Sequence, residues 1–199
     1  MPRIEGPLKA AETAVLAVNM TNAFWPEGAD HVCSFIAECK NKGVRTVYAS
    51  VAFRADGIDR TENMRRVYGS DTLIQGTRDT QLLDALIPDE EDIFVTMRSI
   101  SPFHDTDLEI VLRCSGIKNL IIVGARTDCE CFSAARDAFN RDLTVIVLED
   151  MTQTFGQKSY YVQDDGFTPH DYHVQFLNNL FMVMNADIQQ SEQALRIIK

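Results

Sequence analysis

The segment at residues 118–138, KNLIIVGARTDCECFSAARDA, constrains the fold more than any other part of the chain. It opens with an apolar run at residues 120–123, which predicts a fully buried strand, and Gly124 ends that run. Small and polar residues then lead into a helical pattern with three apolar side chains on one face: Phe132, Ala135 and Phe139. A buried strand, a tight turn and a helix N-terminus are typical of the functional edge of an α/β sheet.

Strand and helix patterns alternate along the whole chain, which predicts a parallel sheet covered on both faces. The predicted strands are at residues 13–19, 44–51, 93–97, 119–123, 143–148 and 183–186. The predicted helices are at residues 29–42, 81–86, 106–114, 129–140 and 171–181, and residues 54–69 form a long polar loop. We therefore predict one α/β domain over residues 1–199, a Rossmann-like three-layer sandwich with a mainly parallel sheet of about six strands.

Composition and charge narrow the classes of function. With 199 residues, 45% of them hydrophobic, the chain has enough apolar side chains for a sizeable core. No apolar run approaches the roughly 20 residues that span a bilayer, and MPRIEGPLKAAE lacks the apolar core of a signal peptide. Five cysteines without framework spacing indicate reduced thiols and a cytoplasmic protein. A formal charge of −10 argues against a nucleic-acid partner.

Two segments carry motifs that are more specific than composition. They are AVLAVNMTNAF at residues 14–24 and SPFHDTDLEIVLRCSGIKNLIIVGARTDCECFSAARDAFNRDL at residues 101–143. The first resembles the opening strand of the isochorismatase-like (cysteine hydrolase) superfamily, and the second resembles its S-A-F loop, G-x-x-T/A turn and following helix. The DAFxRD segment is most similar to the isochorismatases of siderophore and phenazine pathways. The resemblance implies an isochorismatase-like fold, a small-molecule substrate or ligand, and a homo-oligomer, either a dimer or a tetramer.

Most members of this superfamily are amidases with an Asp–Lys–Cys triad, and the resemblance places those positions at Asn19, Met97 and Glu130. All three depart from the pattern. An asparagine cannot take up a proton at neutral pH, a methionine thioether can only pack, and Glu130 replaces the nucleophile with a carboxylate. The isochorismatase branch also lacks the cysteine, but its first-strand acid is missing here as well. A cysteine-nucleophile amidase is therefore not expected.

Residues near these positions complete the expected pocket. They are Phe24, Trp25, Arg98, Phe103, His104, Cys129 and Cys131. Each cysteine is turned by about 100° around the helix from position 130, which favours ordinary buried thiols over substitute nucleophiles. The sequence leaves open whether Arg98 or Arg126 points into the pocket.

Two functions remain open. In the first, an altered hydrolase or lyase uses Glu130 as general acid or base and Asn19 as a hydrogen-bonding group, while the N–H groups of Arg126 and Glu130 form an oxyanion-type turn. In the second, the protein is catalytically silent and acts as a small-molecule binder or interaction subunit. The second predicts that Glu130 is ion-paired with Arg126 or Arg98 and fills the pocket, and a deep, open cavity would count against it.

The resemblance also allows predictions about metal and cofactor binding and about the conformation of one peptide bond. Nicotinamidases of the superfamily bind a metal through a loop after the second strand, but residues 52–69 contain no histidine, so we expect neither a metal nor a cofactor. His170 and His173 are expected to have a surface or capping role. The resemblance further implies a non-proline cis peptide between Ala125 and Arg126.

Overall fold

A computed structural model describes residues 4, 6–25, 27–155 and 166–199. Within these residues six strands form one sheet in the order β3-β2-β1-β4-β5-β6, and every neighbouring pair is parallel. The strands are β1 (Thr13–Val18), β2 (Arg45–Val51), β3 (Ile93–Met97), β4 (Asn119–Ala125), β5 (Thr144–Gln153) and β6 (Asp187–Gln189). The predicted α/β sandwich with a parallel central sheet is confirmed.

Six α-helices flank the sheet in the described residues. They are α1 (Asp30–Asn41), α2 (Glu62–Tyr68), α3 (Leu108–Cys114), α4 (Glu130–Phe139), α5 (Pro169–Met184) and α6 (Ser191–Ile197), with short 3-10 turns at Ala10–Glu12 and Arg78–Thr80. Helix α1 packs against α6, and α4 packs against α5. All six residues of β1 are buried, as expected for a central strand covered on both faces.

The segment at residues 81–86 is not the predicted helix. The Leu83 N–H donates to the Met20 carbonyl at 3.2 Å, and Leu82 forms an antiparallel bridge with Thr21. Apolar side chains that suggest a helical face therefore belong to a non-helical segment that pairs with the residues just after β1.

Helix α2 lies inside the predicted polar loop. Its apolar residues, Met64, Val67 and Tyr68, have helical spacing, but the helix is only seven residues long and none of its residues is fully buried. Its start is fixed locally, because the Thr61 hydroxyl accepts a hydrogen bond from the Met64 N–H.

The C-terminal region also differs from the prediction. Helix α5 continues to Met184 and ends at Asn185, which has a left-handed φ of 54°. The last strand, predicted at residues 183–186, is therefore displaced to β6, and α6 follows it.

Gly124 brings the end of β4 close to the end of β1. Its φ is +114°, and a Cβ at this position would overlap the Val18 carbonyl oxygen. A residue other than glycine would have to move the backbone, because real Cβ atoms do not approach an oxygen so closely. The pairing of β4 with β5 shifts register between Ile122 and Gly124, just before the turn that leads into α4.

Candidate functional site

The parallel register brings the ends of four strands to one edge of the sheet. Val51 pairs with Met97, and Val18 pairs with both Ala49 and Gly124. Asn19 follows β1, Met97 ends β3, and the turn that carries Glu130 follows β4. The three positions singled out from the sequence therefore share the carboxyl edge of the sheet, where α/β proteins place their functional groups.

The turn between β4 and α4 has the backbone that the resemblance implied. The Ala125–Arg126 peptide is cis, which confirms that prediction. The Arg126 carbonyl accepts hydrogen bonds from the N–H groups of Cys129 at 3.2 Å and Cys131 at 3.0 Å. The Thr127 N–H donates to the Gln153 carbonyl at 2.8 Å. The turn is thus joined to both α4 and β5.

Glu130, the first residue of α4, has a fully buried side chain with both carboxylate oxygens engaged. Its Oε2 accepts from the Arg126 backbone N–H and from Arg126 Nε, each at 3.2 Å. Its Oε1 accepts from the Tyr68 hydroxyl. The Arg126 side chain that completes the ion pair is 21% exposed, and that of Glu130 is 0% exposed. Carboxylate oxygens are hydrogen-bond acceptors, and the three donors, one of which belongs to the cationic guanidinium, suit them well.

Tyr68 was not among the residues predicted for the site. It lies at the end of α2, and its ring centroid is 5.9 Å from the Arg126 guanidinium and 6.1 Å from the centroid of Phe53. Burial raises the pKa of Tyr68, and the neighbouring Glu130 raises it further, so the hydroxyl keeps its proton and donates. Tyr68 is the one aromatic residue between positions 54 and 69, and that was the only signal in the sequence that could have pointed to it.

The ion pair also acts on Arg126. Burial lowers the pKa of Arg126, but the Glu130 carboxylate outweighs that effect, and the net shift is upward. Of the two arginines left open by the sequence, Arg126 is the one that contacts Glu130, through Nε at 3.2 Å. Arg98 instead donates through Nε to Asp59 in the loop after β2.

Asn19 is fully buried and serves the backbone of the sheet. Its N–H donates to the Ala49 carbonyl at 2.8 Å, and its Oδ1 accepts from the Val51 N–H at 2.9 Å. That donor fixes the orientation of the amide, because only the oxygen can accept. Within the described part of the chain, Asn19 Nδ2 is buried and has no hydrogen-bond partner. Met97 is fully buried in the core.

The two cysteines beside Glu130 are poor nucleophiles. Cys131 is fully buried, and burial holds its pKa well above the usual range. Cys129 is half-buried, and burial with the adjacent Glu130 charge raises its pKa to about 12. Because the thiolate is the reactive form, neither side chain is activated near neutral pH.

The remaining predicted pocket residues are spread more widely. Phe103 is buried, and its ring lies 4.7 Å from the Arg141 guanidinium. The His104 side chain is 65% exposed, with Nε2 3.4 Å from Asp105. Phe24 and Trp25 are buried and contact other aromatic rings, Phe155 at 6.5 Å and His31 at 6.4 Å between centroids.

The expectation of a surface or capping role for His173 is wrong. Its side chain is buried, with Nδ1 2.8 Å from Thr127 Oγ1 and Nε2 3.1 Å from the Glu149 carbonyl. Burial lowers the pKa of His173, which favours the neutral ring. Because a carbonyl can only accept, Nε2 carries the proton and Nδ1 accepts from the Thr127 hydroxyl. The neighbouring Asp128 accepts from the Thr154 hydroxyl, so polar contacts also hold this side of the turn.

The described residues contain no group of three or more His, Cys, Asp or Glu side chains arranged to hold a metal ion. Each of the helices in this part of the chain is too short or too polar to cross a bilayer.

Fold and site together define a three-layer parallel α/β protein with its candidate site at the carboxyl edge of the sheet. The Isochorismatase domain family matches residues 13–187, and the chain belongs to the isochorismatase family. A ureidoacrylate amidohydrolase RutB from Rhizobium rhizogenes is 28% identical over 180 residues, which cover 75% of this chain and 73% of that protein. The Azorhizobium caulinodans RutB is 29% identical over 196 residues, covering 82% and 86% of the two chains.

Solved structures support the same assignment. A cysteine hydrolase from Pseudomonas syringae pv. phaseolicola 1448A superposes with a TM-score of 0.86 and 25% sequence identity, covering 99% of this chain and 97% of that one. An N-carbamoylsarcosine amidase from Thermoplasma acidophilum shares the fold, with a TM-score of 0.72 and 21% identity over 91% and 97% of the chains. The isochorismatase-like fold and family that the sequence motifs implied are confirmed.

Proposed function

We propose that this protein is an isochorismatase-family member without cysteine amidase activity, and that it acts as a small-molecule binder or an interaction subunit. In this proposal Asn19, Met97 and Glu130 occupy the positions at which most relatives carry Asp, Lys and Cys. The observation that carries the proposal is the engagement of both Glu130 oxygens by Tyr68 and Arg126.

Under this assignment, thioester chemistry needs a nucleophile, a base and a cation, and the corresponding positions of this chain supply none of them. A nucleophile is missing, because position 130 is a carboxylate and the raised pKa values of Cys129 and Cys131 keep both thiols protonated. A base at the end of β1 is missing, because an asparagine amide does not accept a proton at neutral pH. Met97 supplies no cation at the end of β3.

Glu130 is also poorly placed to replace those groups. A general acid must hold a proton that it can give to the substrate, whereas both Glu130 oxygens accept hydrogen bonds, two from the cationic Arg126 and one from Tyr68. A general base needs a free lone pair, and three of its roughly four acceptor sites are already used. The contacts match those expected for a silent site that Glu130 fills.

A second function, altered acid–base chemistry through Glu130, is favoured by Asn19. Its buried Nδ2 has no partner among the described residues, and a substrate carbonyl or carboxylate would satisfy it. In that function Asn19 binds the substrate, the Arg126 and Glu130 N–H groups stabilise negative charge, and Glu130 transfers the proton. The names of the relatives suggest amide and ureido compounds as the first substrates to test.

One turnover experiment separates the two functions. Ureidoacrylate, isochorismate and a panel of small amides are incubated with wild type and Glu130→Gln, and products are followed by mass spectrometry. The Rhizobium rhizogenes relative serves as a positive control for ureidoacrylate. We expect product from the relative and none from either form of this chain. Product from wild type that disappears in Glu130→Gln would instead assign the acid–base role to Glu130.

We further propose a cytoplasmic homo-oligomer, a dimer or a tetramer, that needs no metal or cofactor. The five cysteines are free, which suits a reducing compartment. Light scattering coupled to size-exclusion chromatography measures the oligomeric state, and metal analysis of the purified protein tests the metal-free form.

A further inference from the structure

We propose that the turn after β4 and Tyr68 form a carboxylate-binding site, and that the Glu130 side chain is its covalently attached occupant. The site consists of the Arg126 backbone N–H, Arg126 Nε and the Tyr68 hydroxyl, here called the carboxylate cradle. This inference rests on the proposed silent function and deepens it by naming the class of chemical group that the site binds, which in wild type is supplied by Glu130.

The cradle has the chemistry of a carboxylate receptor. Two donors from Arg126 converge on one carboxylate oxygen at 3.2 Å each, and the Tyr68 hydroxyl binds the other oxygen. The donors come from segments 58 residues apart in sequence, positions 68 and 126, so they form one site only in the folded chain. A guanidinium, a peptide N–H and a protonated phenol together favour a planar anion with two oxygens.

Two of the three donors, the Arg126 backbone N–H and the Tyr68 hydroxyl, are positioned by contacts that do not involve Glu130. The Arg126 carbonyl is bound by the N–H groups of Cys129 and Cys131, which fixes the backbone of the turn. Tyr68 packs against Phe53, and the next residue, Gly69, accepts through its carbonyl from Arg60. Removal of the Glu130 carboxylate therefore leaves a preorganised site rather than a collapsed one.

The size of the ligand follows from the side chain that would be removed. Glu130→Ala deletes Cγ, Cδ and both oxygens, which are the heavy atoms of acetate. Glu130→Gly deletes one further carbon, so the missing group has the heavy atoms of propionate. The cradle should prefer acetate in the alanine variant and propionate in the glycine variant.

The test measures thermal and urea unfolding of wild type, Glu130→Ala and Glu130→Gly in acetate, propionate or chloride at equal ionic strength and pH 7. We expect acetate to bind Glu130→Ala with a Kd on the order of millimolar, because so small a ligand makes few contacts. At about 100 mM acetate the folded-to-unfolded ratio of that variant should rise roughly 10- to 100-fold over chloride. Wild type should respond equally to the three anions, because its cradle is filled.

Two further variants serve as controls. Glu109→Ala also removes a carboxylate from an arginine, since Glu109 Oε2 lies 2.6 Å from Arg141 Nε, but that pair is exposed and, among the described residues, has no phenol or peptide donor. It should show no acetate-specific effect. Addition of Tyr68→Phe to Glu130→Ala should weaken acetate binding about 10-fold, through loss of one hydrogen bond to a charged group.

If Glu130→Ala does not fold in chloride, the same comparison is made by refolding it from urea, and recovery in acetate but not in chloride is expected. The inference is overturned if acetate acts no better than chloride on folding or refolding, or if it acts equally on Glu109→Ala. The proposed lack of catalysis fails separately, through product formation by wild type in the turnover assay.

Discussion

The turn after β4 is held on its two sides by different kinds of polar contact. On one side the Glu130 carboxylate joins Arg126 and Tyr68, so the contact is ionic and draws in α2. On the other side Thr127 binds a buried His173, and that contact is between neutral groups of the turn and α5. The two sides meet at adjacent residues of one short segment.

Because the two contacts differ in charge, mutation and pH should change the stability of the protein differently on the two sides of the turn. Loss of one partner from a buried ion pair leaves an unpaired charge, which costs far more than the pair itself contributes. Loss of one partner from a neutral hydrogen bond leaves a polar group with a smaller desolvation penalty. The ionic side should therefore dominate the response of stability to mutation, and the neutral side should dominate its response to mild acid.

The largest effect is expected for Glu130→Ala, which should lower the free energy of unfolding by about 3–5 kcal/mol because Arg126 loses its counter-charge. Urea denaturation measures the change. Glu109→Ala, which breaks an exposed pair, should cost no more than about 1 kcal/mol. Equal losses in the two variants would show that the buried pair contributes no more to stability than the exposed pair.

Tyr68→Phe should cost about 1.5–3 kcal/mol, because it removes a hydrogen bond to a charged group. A double-mutant cycle with Glu130→Ala measures the coupling, and the tyrosine substitution should cost clearly less once its acceptor is gone. Independent, additive losses would mean that the hydroxyl stabilises the fold by another contact.

Thr127→Val should cost about 1–2 kcal/mol, because Nδ1 of the buried His173 loses its donor. Thr46→Val is the matched control, since Thr46 is buried and its hydroxyl has no partner in the described part of the chain. That variant should be close to neutral in the same urea experiment. A larger loss for Thr46→Val than for Thr127→Val would contradict the assigned hydrogen bond.

The smallest expected effect is a dependence of stability on pH, caused by the neutral contact between Thr127 and His173. Because the pKa of His173 is lowered by burial, the unfolded chain binds its proton more readily than the folded one. Stability should therefore fall as the pH drops below about 6.5, the ordinary histidine value, and should be unaffected by this group at higher pH. His173→Gln should flatten that part of the stability profile, and an unchanged slope would exclude His173 as its source.

The two sides also differ in how far they could be predicted from sequence. The buried strands were predictable because their apolar runs are continuous, and the site edge followed from where those runs end. The sequence predicted an ion pair of Glu130 with Arg126 or Arg98 for a silent site, and it did not decide between the two arginines. Tyr68 was missed because it lies 62 residues from Glu130 in a polar stretch, and no local pattern reports so distant a contact.

The predictions that differ from the structure have a similar physical cause, which is a contact with residues distant in the sequence. His173 lies near the start of an amphipathic helix, and the sequence does not show that its face packs against the turn. Residues 81–86 have helix-compatible spacing, but Leu82 pairs with Thr21, just after β1, and the segment is not helical. Asn19 was predicted only as a group that contacts substrate, whereas its Oδ1 joins β1 to β2 through the Val51 N–H. Tertiary contacts override local preference in each case.

The engagement of Glu130 has a consequence for how such a chain can evolve. Under the proposed assignment, a return to cysteine at position 130 would leave Arg126 without a counter-charge and Tyr68 without an acceptor, so the first step backwards is an unstable protein. A lineage would first have to replace Arg126, at a time when that change brings no catalytic benefit. Under the same assignment, the buried carboxylate therefore makes a cysteine at position 130 costly in stability unless Arg126 changes as well.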